Sequence, residues 1–490
     1  MGLGWRRELA APLLTSPHAV GFVEVIAESC FRPGPVLREV QGLAEIWPVL
    51  PHGIKLSLGS ADGIDAEHAH MLGKLARTLR APLLSEHVAF TRGRGRDIGH
   101  LTQLPMTRAA VAVVARNLAK ARRLLPDIPF LLENPAWTLR WSEDEMAEGA
   151  FFHEVTQATG CELLLDIANL YANATNSGQD PRALLRSYPL NRVAMVHIAG
   201  GAWREGFYVD THCHPTPAPV FELLAELVRI RGPLPVVLER DGRYPAFSEL
   251  ASELAQAQQI LRSEPGQSLA SSAAPTVPSL SAAPANLQAA AATSHEHAAR
   301  IHALAGQQAR LAQLLTQAAQ SSSAPDLPPR DATAAKWPLD PLPWDPRELD
   351  RSRSVLLYKR VDEALAVLGR LRAAAQAQRI DLYALALDRL ASLPPAGSAP
   401  AVVDALAIAR QLAQHAVLST AAQIDQLSLQ ARFVEHGEGA SPRFLPYLAR
   451  TQRADGRKTW VWKPPGQLSR LRFYTPATSA PPDGSQSRTP

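Results

Sequence analysis

Seven short apolar runs recur through the first 262 residues, and their spacing constrains the fold more than any other feature of the chain. They are GFVEVIA (21–27), HGIKLSLG (52–59), APLLSEHV (81–88), PFLLEN (129–134), CELLLD (161–166), RVAMVHIAG (192–200) and LPVVLER (234–240). Each is almost continuously hydrophobic and ends in a polar or glycine-containing turn, the pattern of parallel strands buried on both faces. Between them lie segments with apolar residues at helical spacing, such as MTRAAVAVVARNLAKARRLL (106–125). Repeated βα units over about 250 residues predict a TIM-like (β/α) barrel rather than an open sheet. Seven runs fall one short of the usual eight strands, and no further run identifies the eighth.

The composition changes beyond residue 262. Residues 263–335 are rich in Ala, Ser and Pro and predict a flexible linker, interrupted by one amphipathic stretch, HEHAARIHALAGQQARLAQLLTQAAQ (295–320). Whether that helix docks or stays free is open at this point, and His295, His297 and His302 read as solvent-facing. Residues 336–476 predict a small, mostly helical domain, with helices over 352–376, 379–393, 399–417 and 418–432. Two short strands around a Pro-Pro-Gly turn (458–476) follow, and 477–490 predict a disordered tail. Basic residues gather at the C-terminal end (Arg443, Arg450, Arg453, Arg457, Lys458, Lys463, Arg470, Arg472), which suits either an acidic partner or a solvated face. The three cysteines, Cys30, Cys161 and Cys213, offer neither a disulfide framework nor a CxxC site. With no apolar run long enough for a signal peptide or a membrane span, the expectation is a cytoplasmic protein without a membrane partner.

Chemistry-bearing residues accumulate around the strand ends. His52 opens the second run; Glu86 and His87 end the third, Glu133 and Asn134 the fourth, and Asp166 the fifth, with Asn169 just beyond. His197 ends the sixth, Asp210 and His212 lie in the loop after it, and Glu239 ends the seventh. Loops from every strand of a barrel converge on its C-terminal rim, so carboxylates and imidazoles there share one cavity. Several negative charges in one cavity require a cation, and oxygen and nitrogen donors without thiolate favour iron, manganese or zinc. Roughly nine candidates exceed the four to six donors one such ion takes, which points to several metals bridged by carboxylates.

The strings HGIKLSLGSAD, LLSEHVAF, LLENPAW, TGCELLLDIANLYANA, VHIAGG, DTHCH and LERDGRYP stand in an order that resembles the multinuclear non-heme iron-dependent oxidases. That family includes the methanobactin-biosynthesis oxidase and related peptide-modifying enzymes. The resemblance covers residues 2–262. It implies a barrel holding two or three iron ions of mixed Fe(II)/Fe(III) state, with O₂ as co-substrate, that modifies a ribosomally made precursor peptide, often at cysteine. Position by position, it makes His52, His87, Glu133, Asp166, His197, Asp210, His212 and Glu239 the expected iron ligands, with Asn169 an additional one. Three departures stand out: Ala168 where an asparagine is common, Gly200-Gly201 in place of Gly-His, and Glu28-Ser29 in place of Glu-Asn. These concern the hydrogen bonds behind the ligands and substrate choice more than metal binding. Cys213, between His212 and His214, reads as a bystander.

Two other readings stay in play. The same donors suit a divalent-metal hydrolase or isomerase of the endonuclease IV and xylose isomerase type, in which Arg92, Arg94 and Arg96 would track phosphates, although they equally suit an acidic peptide leader and nucleic acid is not an expected partner. Alternatively, the chain is a peptide-binding protein with a degenerate barrel, which the intact donor set opposes. The C-terminal domain is expected to recognise the precursor peptide, a role that separate partner proteins play for related oxidases, or else to stabilise or oligomerise the chain.

Overall fold

Strand β1 (Gly2–Gly4), β2 (Phe22–Ile26), β3 (Val49–Gly53) and β4 (Leu84–His87) are followed by a hairpin of β5 (Ala89–Gly93) and β6 (Arg96–Gln103). Next come β7 (Phe130–Glu133), β8 (Glu162–Asp166) and β9 (Val193–Ile198), a second hairpin of β10 (Ala202–Arg204) and β11 (Phe207–Val209), and β12 (Val236–Leu238). In this computed structural model eight of them close into a barrel in the order β1-β12-β9-β8-β7-β4-β3-β2. Every neighbouring pair is parallel. The structure describes residues 1–263, 294–317, 344–395, 399–437, 439–443, 445–452, 458–464 and 471–474. The expected (β/α) barrel is therefore present.

The eighth strand is the tripeptide Gly2–Gly4, which pairs with β2 (Leu3↔Val23) and β12 (Leu3↔Leu238) and buries Leu3 completely. Three residues, two of them glycine, are too short to produce a hydrophobic period, so the sequence carries no signal for it. The second strand is displaced from its expected place. It runs over Val49–Gly53, so His52 lies next to its end rather than opening it. Residues 54–59 form a loop instead, although they are largely apolar. Their amides are held by carboxylates: Ile54 N and Lys55 N donate to Glu28 Oε1, both at 2.9 Å, and Leu56 N donates to Glu86 Oε2 at 2.9 Å. A buried loop satisfied in this way has the same hydrophobic profile as a strand.

Inside the barrel, Leu50, Leu131, Leu164, Met195 and Val237 form one buried cluster. Each lies two residues before a rim residue: His52, Glu133, Asp166, His197 and Glu239. Residues two apart on a strand face the same side. The apolar plug thus sits one pleat beneath the polar rim.

The unit that contains the barrel reaches past residue 262, taking in residues 1–314 and 339–352. A helix, Ser294–Thr316, lies against it up to Leu314, where Gln307 Nε2 donates to Glu143 Oε1 at 2.8 Å and Arg300 pairs with Glu145 at 3.2 Å. Further on, Trp344 meets Trp141 edge to face at 5.1 Å, and Arg140 N donates to Glu348 Oε2 at 2.8 Å. The helix left open by the sequence is docked, with His302 exposed. Most of the Ala/Ser/Pro-rich stretch and the tail from 477 lie outside the described residues.

The second unit holds residues 353–490 and 315–338. Its helices Gly369–Ala377, Leu382–Ala391, Pro400–Leu412 and Ser419–Arg432 enclose Leu371, Leu390, Leu406 and Leu412. The single helix expected over 352–376 is two, Pro346–Ala366 and Gly369–Ala377, with Leu368 between them at φ −103° and ψ 59°. After a pair β13 (Phe433–His436) and β14 (Gly439–Pro442) come β15 (Tyr447–Gln452), β16 (Lys458–Lys463) and β17 (Arg472–Tyr474), an antiparallel three-stranded sheet. The two expected strands are β16 and β17, β15 is an addition, and most of the Pro-Pro-Gly turn lies outside the described residues. No helix among the described residues is long and apolar enough to cross a membrane.

Because β1 closes the barrel, Leu3→Ala should cost about 2–5 kcal/mol in chemical denaturation, as for other buried leucines. The same change at exposed Leu14 should cost less than about 0.5 kcal/mol.

Candidate metal centre

The barrel register sets the pairs at the rim. His87 lies opposite Glu133, and Asp166 opposite His197. At the end of β8 the backbone turns directly into the helix Ile167–Ser177, and Asp166 caps it by accepting from Asn169 N at 2.7 Å. Asn134 replaces the ladder where β7 and β8 end: its Nδ2 donates to Asp166 O at 2.9 Å and its Oδ1 accepts from Asp166 N at 2.8 Å. Asn169 Nδ2 in turn donates to Asn134 O at 3.0 Å. One oxygen of Asp166 is thereby committed to the cap, and Oδ2 is available for another role.

Each imidazole is held from behind. Nδ1 of His52 lies 2.8 Å from Ser85 Oγ, and Nε2 lies 3.3 Å from Glu133 Oε2. For His87, Nδ1 lies 3.3 Å from Gly53 O, a carbonyl that can only accept, so this nitrogen carries a proton; Nε2 lies 3.4 Å from Glu133 Oε2. His197 Nε2 is 3.1 Å from Glu24, while Nδ1 lies 3.3 Å from Glu133 Oε1 and 3.4 Å from Glu239 Oε2. His212 adopts a left-handed backbone at φ 52° and stands between Asp210 (Nε2 to Oδ2, 2.7 Å) and Glu239 (Nδ1 to Oε2, 3.2 Å). Asp241 N donates to His212 O at 2.8 Å, and Asp241 also pairs with Arg6. A non-glycine residue in this region costs of order 1–3 kcal/mol and persists only where its surroundings hold it.

Donor atoms converge in four overlapping groups: His52/His87/Glu133, Glu133/Asp166/His197, Glu24/His197/Glu239 and Asp166/His212/Glu239, each with its atoms within 4.8 Å of one another. Among the described residues, the buried atoms without a hydrogen-bond partner include Glu133 Oε2, Asp166 Oδ2, Asn169 Oδ1, His197 Nδ1, Asp210 Oδ1 and His212 Nε2. Several of these approach one another closely yet are not aligned as hydrogen bonds, as expected of atoms directed at a shared point. Buried polar groups left unpaired are costly, and a cation coordinated by them removes that cost.

The charge balance points the same way. Burial opposes ionisation of Glu133 and Glu239, but neighbouring imidazoles overcome it: His87, His197 and His52 hold Glu133 down to about 2, and His197 and His212 hold Glu239 well below its usual range. Burial likewise opposes protonation of the histidines, yet Glu133 and Glu86 lift His87 to about 9, and carboxylates raise His197 and His212 well above normal. Asp166 is left without enough positive charge. Burial first, then the charges of Glu133 and Asp210, drive it well above the ordinary carboxylate range. The donor set carries more negative charge than its imidazoles neutralise, so it fits a metal centre.

Of the nine residues expected from the sequence, seven fall within the four groups. Asp210 reaches them through His212, and Asn169 stands beside Asp166 with Oδ1 unpaired. Glu24 was missed, because it lies within the first apolar run rather than at its end; a single charged residue inside an otherwise apolar strand is the signal that could have found it. Cys213, half-buried, belongs to none of the groups. Gly201 has a local reason: a Cβ there would lie 2.5 Å from Val209 O and 2.7 Å from the Tyr208 ring, so the histidine common at this place has no room. Glu28 is used in holding the loop at 54–55 and pairs with His68 at 3.0 Å.

Comparison with known proteins gives a family. Residues 1–262 match the family described as RiPP precursor modification enzyme MbnB/TglH/ChrH. A UPF0276 protein of Streptomyces avermitilis is 39% identical over 261 residues, 52% of this chain and 53% of that one, so the chain spans about half the length of that relative. UPF0276 proteins of Rhizorhabdus wittichii and Chromobacterium violaceum are 38% and 36% identical over 91% and 94% of their lengths, covering 52% and 53% of this chain. Among solved structures, an endonuclease IV from Thermus thermophilus is 19% identical with a TM-score of 0.33, covering 54% of this chain and 96% of that one. An L-ribulose 3-epimerase is 15% identical with a TM-score of 0.34, covering 53% and 91%. The chain belongs to the MbnB/TglH/ChrH family of RiPP precursor modification enzymes.

Metal ligands must be deprotonated. Since His87, His197, His212 and Asp166 are all shifted toward the protonated form, metal binding near neutral pH should release protons and strengthen as pH rises. Calorimetric titration with iron(II) in two buffers of different ionisation enthalpy measures this directly; binding without proton release would count against these groups as ligands.

Proposed function

We propose that the chain is a cytoplasmic, iron- and O₂-dependent enzyme that oxidatively modifies a ribosomally made precursor peptide at cysteine. The observation that carries this reading is the overlap of the donor groups: Glu133 is shared by His52/His87/Glu133 and Glu133/Asp166/His197, and Asp166 by the latter and Asp166/His212/Glu239. Separate mononuclear sites would not share carboxylates. Glu133 has Oε2 toward His52 and His87 and Oε1 toward His197, so it would contribute a donor to each of two sites. Glu239 lies between His197 and His212 in the same manner. His52, His87, Glu133, Asp166, Asn169, His197, Asp210, His212 and Glu239 would hold two or three irons of mixed oxidation state. Iron bound there supplies thiolate binding and the reduction of O₂, chemistry that the side chains lack.

The chain's own residues do the rest. Glu24 orients His197: its contact with Nε2 turns Nδ1 toward Glu133 and Glu239. Ser85 and Gly53 O do the same for His52 and His87. On the β10–β11 hairpin, Trp203 is 59% exposed and packs on the buried Tyr208, which meets Tyr171, so that Trp203 offers an aromatic face to a peptide.

In the second unit, strand alternation puts Leu448, Arg450, Trp460, Trp462, Arg472 and Tyr474 on one face of the β15–β17 sheet, with Arg450 over Trp460 and Arg472 over Trp462. Phe473 lies on the opposite face and is covered by the Arg370 guanidinium at 4.6 Å. A guanidinium and aromatic face suits an acidic peptide with apolar residues, added as a further strand or laid across the sheet. Combined Trp462→Ala and Tyr474→Ala should weaken precursor binding by about tenfold or more while leaving metal content unchanged. Undiminished binding would assign the domain a stabilising or oligomerising role.

The activity is tested by co-expression with a candidate short cysteine-containing precursor peptide, followed by mass spectrometry and oxygen uptake. The expected result is a mass change that requires iron and O₂ and is lost in His87→Ala and Glu239→Ala, both still folded by circular dichroism. Stoichiometric zinc with phosphodiesterase or isomerase activity and no oxygen uptake would favour the divalent-metal hydrolase or isomerase reading instead.

A further inference from the structure

The rim loop 53–61 is tied down residue by residue. Gly53 O faces His87 Nδ1 at 3.3 Å, Glu28 accepts from Ile54 N and Lys55 N, and Glu86 accepts from Leu56 N with one oxygen and from His87 N with the other. Ser57 has a left-handed backbone at φ 62° and its Oγ accepts from Thr91 N at 2.9 Å. Asn117 Nδ2 donates to Leu58 O and Ser60 O at 2.9 and 2.7 Å. The last tie comes from outside the family-matched residues. Gln308, on the helix Ser294–Thr316, donates from Nε2 to Gly59 O at 2.8 Å and accepts at Oε1 from Ala61 N at 2.8 Å.

Gln308 is only 1% exposed, so both atoms of its amide are satisfied by this loop in a buried setting. The helix backbone also comes as close as the fold allows. A Cβ at Gly93, the last residue of β5, would lie 2.6 Å from Gln308 O and 2.8 Å from Ala309 N. Glycine at 93 is therefore a requirement of this docked helix. Two independent features, a two-point amide clamp and a glycine close approach, fix the same helix over the same loop.

We propose that Gln308 is a positioning residue for the His52/His87/Glu133 group: by clamping Gly59 and Ala61 it holds the loop that orients the His87 imidazole. The extension beyond residue 262 is then part of the metal centre's supporting structure and not only an attached module. This rests on the metal-centre reading above. Removing the clamp leaves the Gly59 carbonyl and Ala61 amide to find water, which loosens the loop and with it the carbonyl that sets the His87 tautomer.

The test uses the full chain and two variants that reach the clamp differently. Gln308→Met keeps the volume and removes both hydrogen bonds; Gly93→Ala leaves Gln308 intact and pushes the helix away. Three properties are measured: iron(II) affinity and stoichiometry under anaerobic conditions, the ligand-field spectrum with cobalt(II) as probe, and hydrogen exchange of the amides at 54–61. Both variants should lose about 10–100-fold in affinity for one class of site, as when groups that orient metal ligands are removed. They should also shift the cobalt spectrum and exchange faster at 54–61, while His212→Ala affects a different class. Wild-type affinity and spectrum in both variants would overturn the positioning role, as would a loss of stability with the metal sites unchanged. Failure of the wild-type chain to bind either metal would instead overturn the metal-centre reading, so the two failures are distinguishable.

Discussion

Charge that cannot be buried alone governs how the rim of this barrel is built. Glu24, Glu133, Asp166, Asp210 and Glu239 meet His52, His87, His197 and His212 where water is largely excluded. Imidazoles hold Glu133 and Glu239 ionised, but burial and the charges of Glu133 and Asp210 force Asp166 toward its neutral form. Such a set is unfavourable without a cation, because uncompensated buried charge costs several kcal/mol per ion. Shared carboxylates offer a compact resolution, in which one side chain serves two positive centres.

The barrel makes this concentration of charge compatible with folding. Leu50, Leu131, Leu164, Met195 and Val237 fill the interior one pleat below His52, Glu133, Asp166, His197 and Glu239. The strands therefore need polar residues only at their last inward position, and the apolar layer beneath supplies the hydrophobic burial. Behind the candidate ligands, Ser85, Gly53 O, Glu24 and the Asn134 bridge between β7 and β8 hold the donors in place. Orientation of this kind is what separates a metal centre from a mere cluster of charges.

Much of this was legible in the chain itself. Strands buried on both faces produce unbroken apolar runs, and polar residues that end such runs stand out, which is why Glu133, Asp166 and His197 could be read directly. Other features left weaker traces. Leu3 sits in a strand too short to have a period, and Glu24 is hidden inside a run because its side chain faces a histidine from another strand. Loop 54–59 imitates a strand because carboxylates, not a neighbouring strand, satisfy its amides. The docking of the helix around Gln308 depends on one amide and one glycine separated by about two hundred residues, a relation that periodicity does not encode.

We propose a multinuclear centre built on shared carboxylates. Its most direct measurement is anaerobic iron(II) titration of the full chain, with metal analysis and Mössbauer spectroscopy after partial oxidation. Saturation above one iron per chain is expected, with magnetic coupling between ions that is lost in Glu133→Ala. Saturation at one uncoupled iron, or coupling that survives removal of Glu133, would contradict it.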